Sequence, residues 1–293
     1  MTGDLQVTWI HGAPDCAATT DPPIQVHRYD PDTFILRQSK CSEPGTPDQP
    51  GPSLEAPFMY LLFGKARALL LDTGASRSPT LFPLASTINR LRMDHAAASS
   101  GEPVPLLVAH SHSHGDHAAG DVQFQGQPGV TIVPLGLPRV KAFYGLTRWP
   151  DDQATVDLGG RMLDVLPAPG HEPSHVIFYD RTSQLLLTGD TLYPGLLVVN
   201  DWADYRQTVS RFRAFSESHQ VSFVLGAHVE LKNQPGRWFG LGARFQPGEH
   251  PLQLSPEQIA ELDNAVTAMG TSLRTDRRHH FILHPAGLPL PVL

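Results

Sequence analysis

Hydrophobic positions along this 293-residue chain fall in short blocks separated by glycine, proline and polar residues. Phe58 to Phe63 and Ala66 to Leu71 are apolar without alternation and flank Gly64-Lys65, which predicts a hairpin of buried strands. Leu81, Leu84, Ile88 and Leu91 recur at helical spacing and predict a helix over Thr80 to Met93. Val104 to Ala109 reads as an apolar strand running into a histidine cluster, and Val130 to Pro134 as another strand. A short helix follows over Leu137 to Tyr144, then strands at Met162–Leu166, Val176–Tyr179, Gln184–Leu187 and Val221–Leu225. Ala203 to Ser218 reads as a helix. So does Ser255 to Met269, which opens on Ser255-Pro256-Glu257-Gln258: a capping hydroxyl, a first-turn proline and a side chain able to cap back. Cys41 to Pro57, with five prolines, reads as an exposed loop. Strands alternating with helices in this way predict sheets covered by helices.

Composition narrows the function classes. Charged residues are 17% of the chain, below the roughly 25% of an average soluble domain. The net charge of −7 argues against a nucleic-acid surface. The most apolar stretch, Met59 to Leu71, is broken by Lys65 and Arg67, so no membrane-spanning helix is expected. The first residues show no basic segment before an apolar one, which sets a cytoplasmic expectation. Two cysteines, Cys16 and Cys41, exclude a disulfide-rich scaffold and a four-thiolate zinc site; whether they pair is open. Proline and glycine number 28 and 25, which suggests many loops between short elements. Histidine, at 15, is abundant against 22 lysines and arginines, and histidine is the commonest metal ligand.

The histidines concentrate in His110-Ser111-His112-Ser113-His114-Gly115-Asp116-His117. In an extended segment His112 and His114 project to one side, and a turn at Gly115 swings Asp116 and His117 back towards them. Such nitrogen and oxygen donors suit zinc, or iron or manganese. Further donors stand where strands should end: His171 after Pro169-Gly170, Asp190 after Thr188-Gly189, and His228 after Gly226-Ala227. Ligands at the ends of neighbouring strands converge at one sheet edge, and a glycine beside each permits a tight turn.

The pattern H-x-H-x-D-H over His112 to His117, with later histidine, aspartate and histidine, resembles the metallo-β-lactamase superfamily. Five of its motifs stand in order: Asp72, His112 to His117, His171, Asp190 and His228. The resemblance implies an αββα four-layer sandwich of two mixed β-sheets flanked by helices. It implies one such domain over residues 1–293, with a carboxyl-terminal extension from about residue 236. One metal would be held by His112, His114 and His171, and a second by Asp116, His117 and His228, with Asp190 bridging. Asp72 would orient a ligand from behind, or simply end its strand. His175 has counterparts in relatives that do not ligate, and His110 would be packed or behind the ligands. His279, His280 and His284 read as solvated or structural.

By the same resemblance Asp190 disfavours a true β-lactamase, where serine or cysteine usually stands nearby, and favours hydrolases of the glyoxalase II and lactonase type. Tyr193, three residues on, would donate to a developing oxyanion in a lactonase-like site, or would pack at the start of its loop. The expectation is a two-zinc hydrolase (iron or manganese being the other candidates) of a small-molecule ester, thioester or lactone, with Asp116 also orienting the nucleophile. The alternatives on the same scaffold are phosphodiester cleavage and iron-dependent sulfur dioxygenation. Pro235 to Gly248, with Trp238, Phe239 and Phe245, reads either as an aromatic wall over the metals or as carboxyl-terminal packing.

Overall fold

The computed structural model describes residues 3–46, 49–51, 55–99 and 101–293. Two six-stranded sheets form its centre. One runs in the order Ile24–Asp30, Thr33–Gln38, Phe58–Phe63, Ala68–Leu71, Leu106–Ala109, Val130–Ile132. The other runs Gln253–Leu254, Phe223–Gly226, Leu185–Gly189, Val176–Asp180, Met162–Pro167, Ala154–Asp157. Both are mixed: Ala68–Leu71 and Val130–Ile132 each pair parallel with Leu106–Ala109, Leu185–Gly189 pairs parallel with Phe223–Gly226, and the other pairs are antiparallel.

Successive side chains of a strand point to opposite faces, and here both faces are covered. Phe58, Tyr60 and Leu62 meet Val165, Phe178 and Leu187 between the sheets. Met59, Leu61 and Phe63 turn outward under Leu84, Ile88 and Leu91 of the helix Leu84–Ala98. On the second sheet, Ile177, Leu186 and Val224 pack outward on Val209 and Phe212 of Trp202–Ser218 and on Ile259 and Leu262 of Pro256–Met269. Each such side chain contributes about 1.5–3 kcal/mol on burial. The order helix, sheet, sheet, helix is the four-layer sandwich expected, and double-sided burial explains why the strand blocks do not alternate.

Element positions differ at the ends. The first long helix begins at Leu84 rather than Thr80, with Pro83 as its flanking residue, and runs on through alanines to Ala98. Asp201 caps the helix Trp202–Ser218 by accepting from the Asp204 backbone N–H at 2.9 Å. Ser255 and Gln258 form the expected reciprocal cap. Among the described residues, no helix is long and apolar enough to cross a membrane.

The loop expected from Cys41 to Pro57 is not simply exposed. Cys41 and Ser42 are buried, Cys41 is bonded to Cys16, and Glu43–Thr46 pairs with Gln49–Gly51. Residues 47, 48 and 52–54 of that stretch lie outside the described residues. The bonded sulfur atoms and the Ser42 hydroxyl, which donates to the Ser39 carbonyl at 2.7 Å, anchor the start of the segment inward despite its prolines. A small third sheet, Leu196–Val199, Ile282–Pro285 and Asp276–Arg277, ties the end of the chain to the body. The Arg37 guanidinium grips the Glu249 carboxylate from within the interior, Nη2 to Oε1 at 2.6 Å.

Candidate metal centre

Four strand ends, one from the first sheet and three from the second, deliver the candidate ligands to one edge. The turn His112 to His117 follows Leu106–Ala109, His171 follows Met162–Pro167, Asp190 follows Leu185–Gly189, and His228 follows Phe223–Gly226. Backbone bonds stitch the sheets together there: Val176 N–H donates to the Ser111 carbonyl and Phe58 N–H to the Ala227 carbonyl, both at 2.7 Å. The Tyr60 hydroxyl donates to the Gly226 carbonyl at 2.6 Å. Gly189 sits at φ +50°, and a Cβ there would lie 2.6 Å from Ser111 Cβ and 2.8 Å from His175 Nε2. Only glycine lets this strand end close on the histidine turn.

The donors form two groups. His112, His114 and His171 make one, and Asp116, His117, Asp190 and His228 the other, each with ligand atoms within 4.8 Å of one another. His112 Nε2 and His171 Nε2 stand 2.9 and 3.1 Å from His114 Nδ1. His228 Nε2 lies 3.3 Å from Asp116 Oδ2 and 3.3 Å from Asp190 Oδ1, and His117 Nε2 lies 3.1 Å from Asp116 Oδ2. Asp190 divides its oxygens: Oδ2 is 3.4 Å from His171 Nε2 in the first group, whereas Oδ1 faces His117 and His228 in the second.

Partners behind the rings fix which nitrogen faces inward. His171 Nδ1 donates to the Val198 carbonyl at 2.8 Å, leaving Nε2 as the free donor atom. His117 Nδ1 donates to Asp72 Oδ2 at 2.9 Å. Asp72 also accepts the Ser111 backbone N–H at 2.7 Å and its hydroxyl at 3.0 Å, so it holds the turn as well as the ring. His175 is not placed as a ligand: its Nε2 accepts the Asp190 backbone N–H at 3.1 Å, and its ring stacks on His112. His110 Nε2 meets Asp121 Oδ1 at 2.8 Å, and the Thr73 hydroxyl donates to the same oxygen.

His117 Nε2 and Asp190 Oδ1 are among the buried atoms that, among the described residues, meet no hydrogen-bond partner beyond the imidazole–carboxylate contacts given above. Orphaned polar atoms of this kind are costly unless something meets them. Zinc binds nitrogen and carboxylate oxygen at about 2.0–2.2 Å, so donors sharing an ion stand about 3–4 Å apart, as these do. The residues fit a pair of divalent cations, one per group.

Electrostatics separate the two groups. Burial, with charge on His117 adding to it, holds His112 well below the ordinary histidine range; burial and His171 push His114 down too. Burial also opposes charge on His117 and His228, but nearby carboxylates outweigh it. Asp72, Asp190 and Asp116 hold His117 well above its ordinary value, and Asp190 with Asp116 and Glu55 does the same for His228. In turn, His228 and His117 overcome burial and keep Asp190 well below the carboxylate range; Asp116 is lowered likewise, against burial, chiefly by His117.

Three further groups gave no signal in the sequence, being lone charges without a motif. Glu55 Oε2 stands 3.8 Å from His228 Nδ1, and burial pushes its carboxyl up to about 7 against the pull of His228. Glu230 is buried and accepts the Leu196 N–H at 2.9 Å. Lys40 is buried near both, its ammonium destabilised by burial and then by Arg37.

Tyr193 is buried, and its hydroxyl has partners away from the donor groups. Its hydroxyl donates to the Leu196 carbonyl at 2.7 Å and lies 3.3 Å from Glu230 Oε2, while its ring meets the His228 ring edge-on. Trp238 likewise belongs to packing: it is buried with Leu196, Leu231 and Ile282, and its indole N–H is shared by the Pro291 and Val292 carbonyls. Phe245 bridges Gly12 and packs on His11, and Phe239 lies under the Lys232 ammonium.

Comparison with known proteins agrees with this geometry. The acyl-coenzyme A thioesterase MBLAC2 of Bos taurus is 25% identical over 205 residues, 58% of this chain and 72% of the relative. A hydroxyacylglutathione hydrolase of Methylococcus capsulatus is 31% identical over 158 residues, 53% of this chain and 59% of the relative. Among solved structures, the DIM-1 metallo-beta-lactamase superposes with a TM-score of 0.54 at 12% identity, covering 85% of this chain and 99% of that one, which speaks to the fold alone. The family described as the metallo-beta-lactamase superfamily matches residues 53–228, a span that takes in both donor groups. With the sandwich, both donor groups and more than half the chain matched, this protein belongs to the metallo-beta-lactamase superfamily.

Proposed function

We propose that the chain is a dinuclear metal hydrolase whose substrate is a thioester, within the wider class of ester, thioester and lactone carbonyls. The observation that carries the reading is Asp190, whose two oxygens divide between the two donor groups. A serine or cysteine there has one donor atom and cannot do this. Relatives named for acyl-coenzyme A and for hydroxyacylglutathione both point to thioesters.

When bound, the ion pair supplies Lewis acidity at a carbonyl and a water acidified towards neutral pH. The protein's own residues set the geometry. Asp116, whose Oδ2 lies 3.1 Å from His117 Nε2 and 3.3 Å from His228 Nε2, is an acceptor placed to orient a water. Hydrolysis forms one C–O bond from water, breaks the C–S bond, and releases a carboxylate, a thiol and one proton. A cavity of about 670 Å³ lies alongside the turn, lined by Ser113, Gly115 and Ala118 together with Glu43, Arg77 and Ser78, and gives room for the thiol moiety. Gly115 opens directly onto free space, since a Cβ there would meet nothing within 4 Å.

The test is a panel of thioester, lactone, aryl ester, phosphodiester and β-lactam on zinc-loaded protein. The thioester is expected to show the highest kcat/KM. A phosphodiester turned over faster, or a single bound iron with oxygen uptake on a persulfide, would overturn the reading.

A further inference from the structure

A second histidine cluster lies outside the centre, built from the loop before Gln253–Leu254 and the turn between Asp276–Arg277 and Ile282–Pro285. His250 is buried, and its Nδ1 stands 2.7 Å from the Pro251 carbonyl. A carbonyl only accepts, so the proton sits on Nδ1 and Nε2 is the bare nitrogen. That bare nitrogen faces His280 Nδ1 at 2.9 Å. The separation equals that between His112 Nε2 and His114 Nδ1 inside the catalytic donor set. His279 stacks on His280 with ring centroids 4.4 Å apart, which limits the swing of the His280 ring.

We propose that His250 and His280 form a third metal site, taking one divalent first-row cation between His250 Nε2 and His280 Nδ1. At about 2.0 Å from each nitrogen, an ion between atoms this close subtends an angle near 90°. That angle suits cis positions of the tetragonal geometry preferred by Cu(II) and Ni(II), with water filling the remaining positions. Imidazole is a good ligand for both, and Cu(II) binds such donors most tightly of the divalent series. Burial favours the neutral form of both rings, with the Pro251 carbonyl partly offsetting it at His250. The proton that His280 Nδ1 donates to His250 Nε2 moves to His280 Nε2 when the ion binds, so the ring changes tautomer and stays neutral. The ion would clamp the loop at 250 to the turn at 280.

Zinc-loaded protein given one equivalent of Cu(II) supplies the test, read by electron paramagnetic resonance and by metal analysis of the same sample. The expected result is one bound Cu(II) per chain with coupling to two nitrogens, while the zinc content stays unchanged. His250→Gln and His280→Gln should each weaken Cu(II) binding by about 10-fold or more, and His279→Gln should leave the two-nitrogen signal in place. A Cu(II) signal indifferent to both variants, or copper taken up only as zinc is lost, would overturn the site and leave the 2.9 Å contact as an ordinary N–H···N hydrogen bond. Both substituted positions are far in the chain from the catalytic ligands, and retained zinc and an unchanged circular dichroism spectrum show that a variant has folded.

Discussion

Asp72 and His117 are joined by a 2.9 Å hydrogen bond between carboxylate Oδ2 and ring Nδ1, and Asp72 makes it from a left-handed backbone at φ +66°. A non-glycine residue rarely adopts that conformation, and such strain persists where the surroundings over-determine it. Here two bonds from Ser111 and one from His117 do so. Asp72→Asn keeps the shape but turns an amide N–H towards His117 Nδ1, which favours the tautomer with its proton on the inward Nε2. We expect affinity for the ion on the His117 side to fall about 10–100-fold, with the His112 side affected less. Competition titration with a chromophoric chelator reads the two affinities separately; equal losses at both would mean that Asp72 only supports the strand end.

Asp190 is tested by Asp190→Ser, which retains one oxygen where two are needed. The variant should hold about one zinc instead of two after dialysis and lose turnover by roughly 10²-fold or more, since both functions of the bridge go together. Full zinc content with normal turnover would remove the bridging role.

Much of this site is legible in the sequence, because its information is local. The spacing of His112, His114, Asp116 and His117 survives any tertiary context, and Gly170 and Gly189 mark the turns that aim His171 and Asp190. Strand blocks such as Phe58 to Phe63 were equally plain, since a run buried on both faces carries no competing helical period. What escaped depends on partners distant in sequence. Glu55 and Glu230 matter through their burial near His228, which no motif encodes. Ile24–Asp30 and Thr33–Gln38 mix polar and apolar residues, and the little strand Asp276–Arg277 exists only because Ile282–Pro285 pairs with it. The placement of the Tyr193 hydroxyl was undecidable from its position after Asp190, since the Leu196 carbonyl that accepts from it is set by a short strand paired with Ile282, far along the chain.

Tyr193→Phe now has a definite expectation. Because the hydroxyl is committed to the Leu196 carbonyl, its loss should cost about 1 kcal/mol of stability and change kcat on a thioester less than about threefold. A loss of 10²-fold or more, the size seen for removal of an oxyanion donor, would show that the hydroxyl leaves Leu196 during turnover.

The two donor groups should respond oppositely to acid. In the metal-free protein His117 and His228 are held above the ordinary range and stay protonated at neutral pH, whereas His112 and His114 are held below it and stay neutral. Metal must therefore displace protons on one side only. Affinity on the His117 and His228 side rises with pH until it passes the raised values, while the His112 side is nearly flat across neutral pH. Lowering the pH from about 7.5 to 6 should strip the His117-side ion first, and zinc binding in weak buffer should release protons mainly with the second equivalent. Simultaneous loss of both ions, or proton release shared evenly, would contradict this.

The Cys16–Cys41 bond closes a segment with a sequence separation of 25 and anchors the residues leading into Glu43–Thr46. Constraint of the unfolded chain by a loop of this size contributes about 3 kcal/mol in the chain-entropy view. A Cys16→Ser, Cys41→Ser double variant should therefore melt several degrees lower, and dithiothreitol should lower the wild-type melt towards the same value. Intact mass under non-reducing conditions, after alkylation, gives the direct check: two alkylated thiols on the native protein would show that the pair is open. Such bonds persist chiefly in oxidising compartments, so a closed bond in protein taken directly from its cell would weigh against the cytoplasmic placement that the first residues suggested.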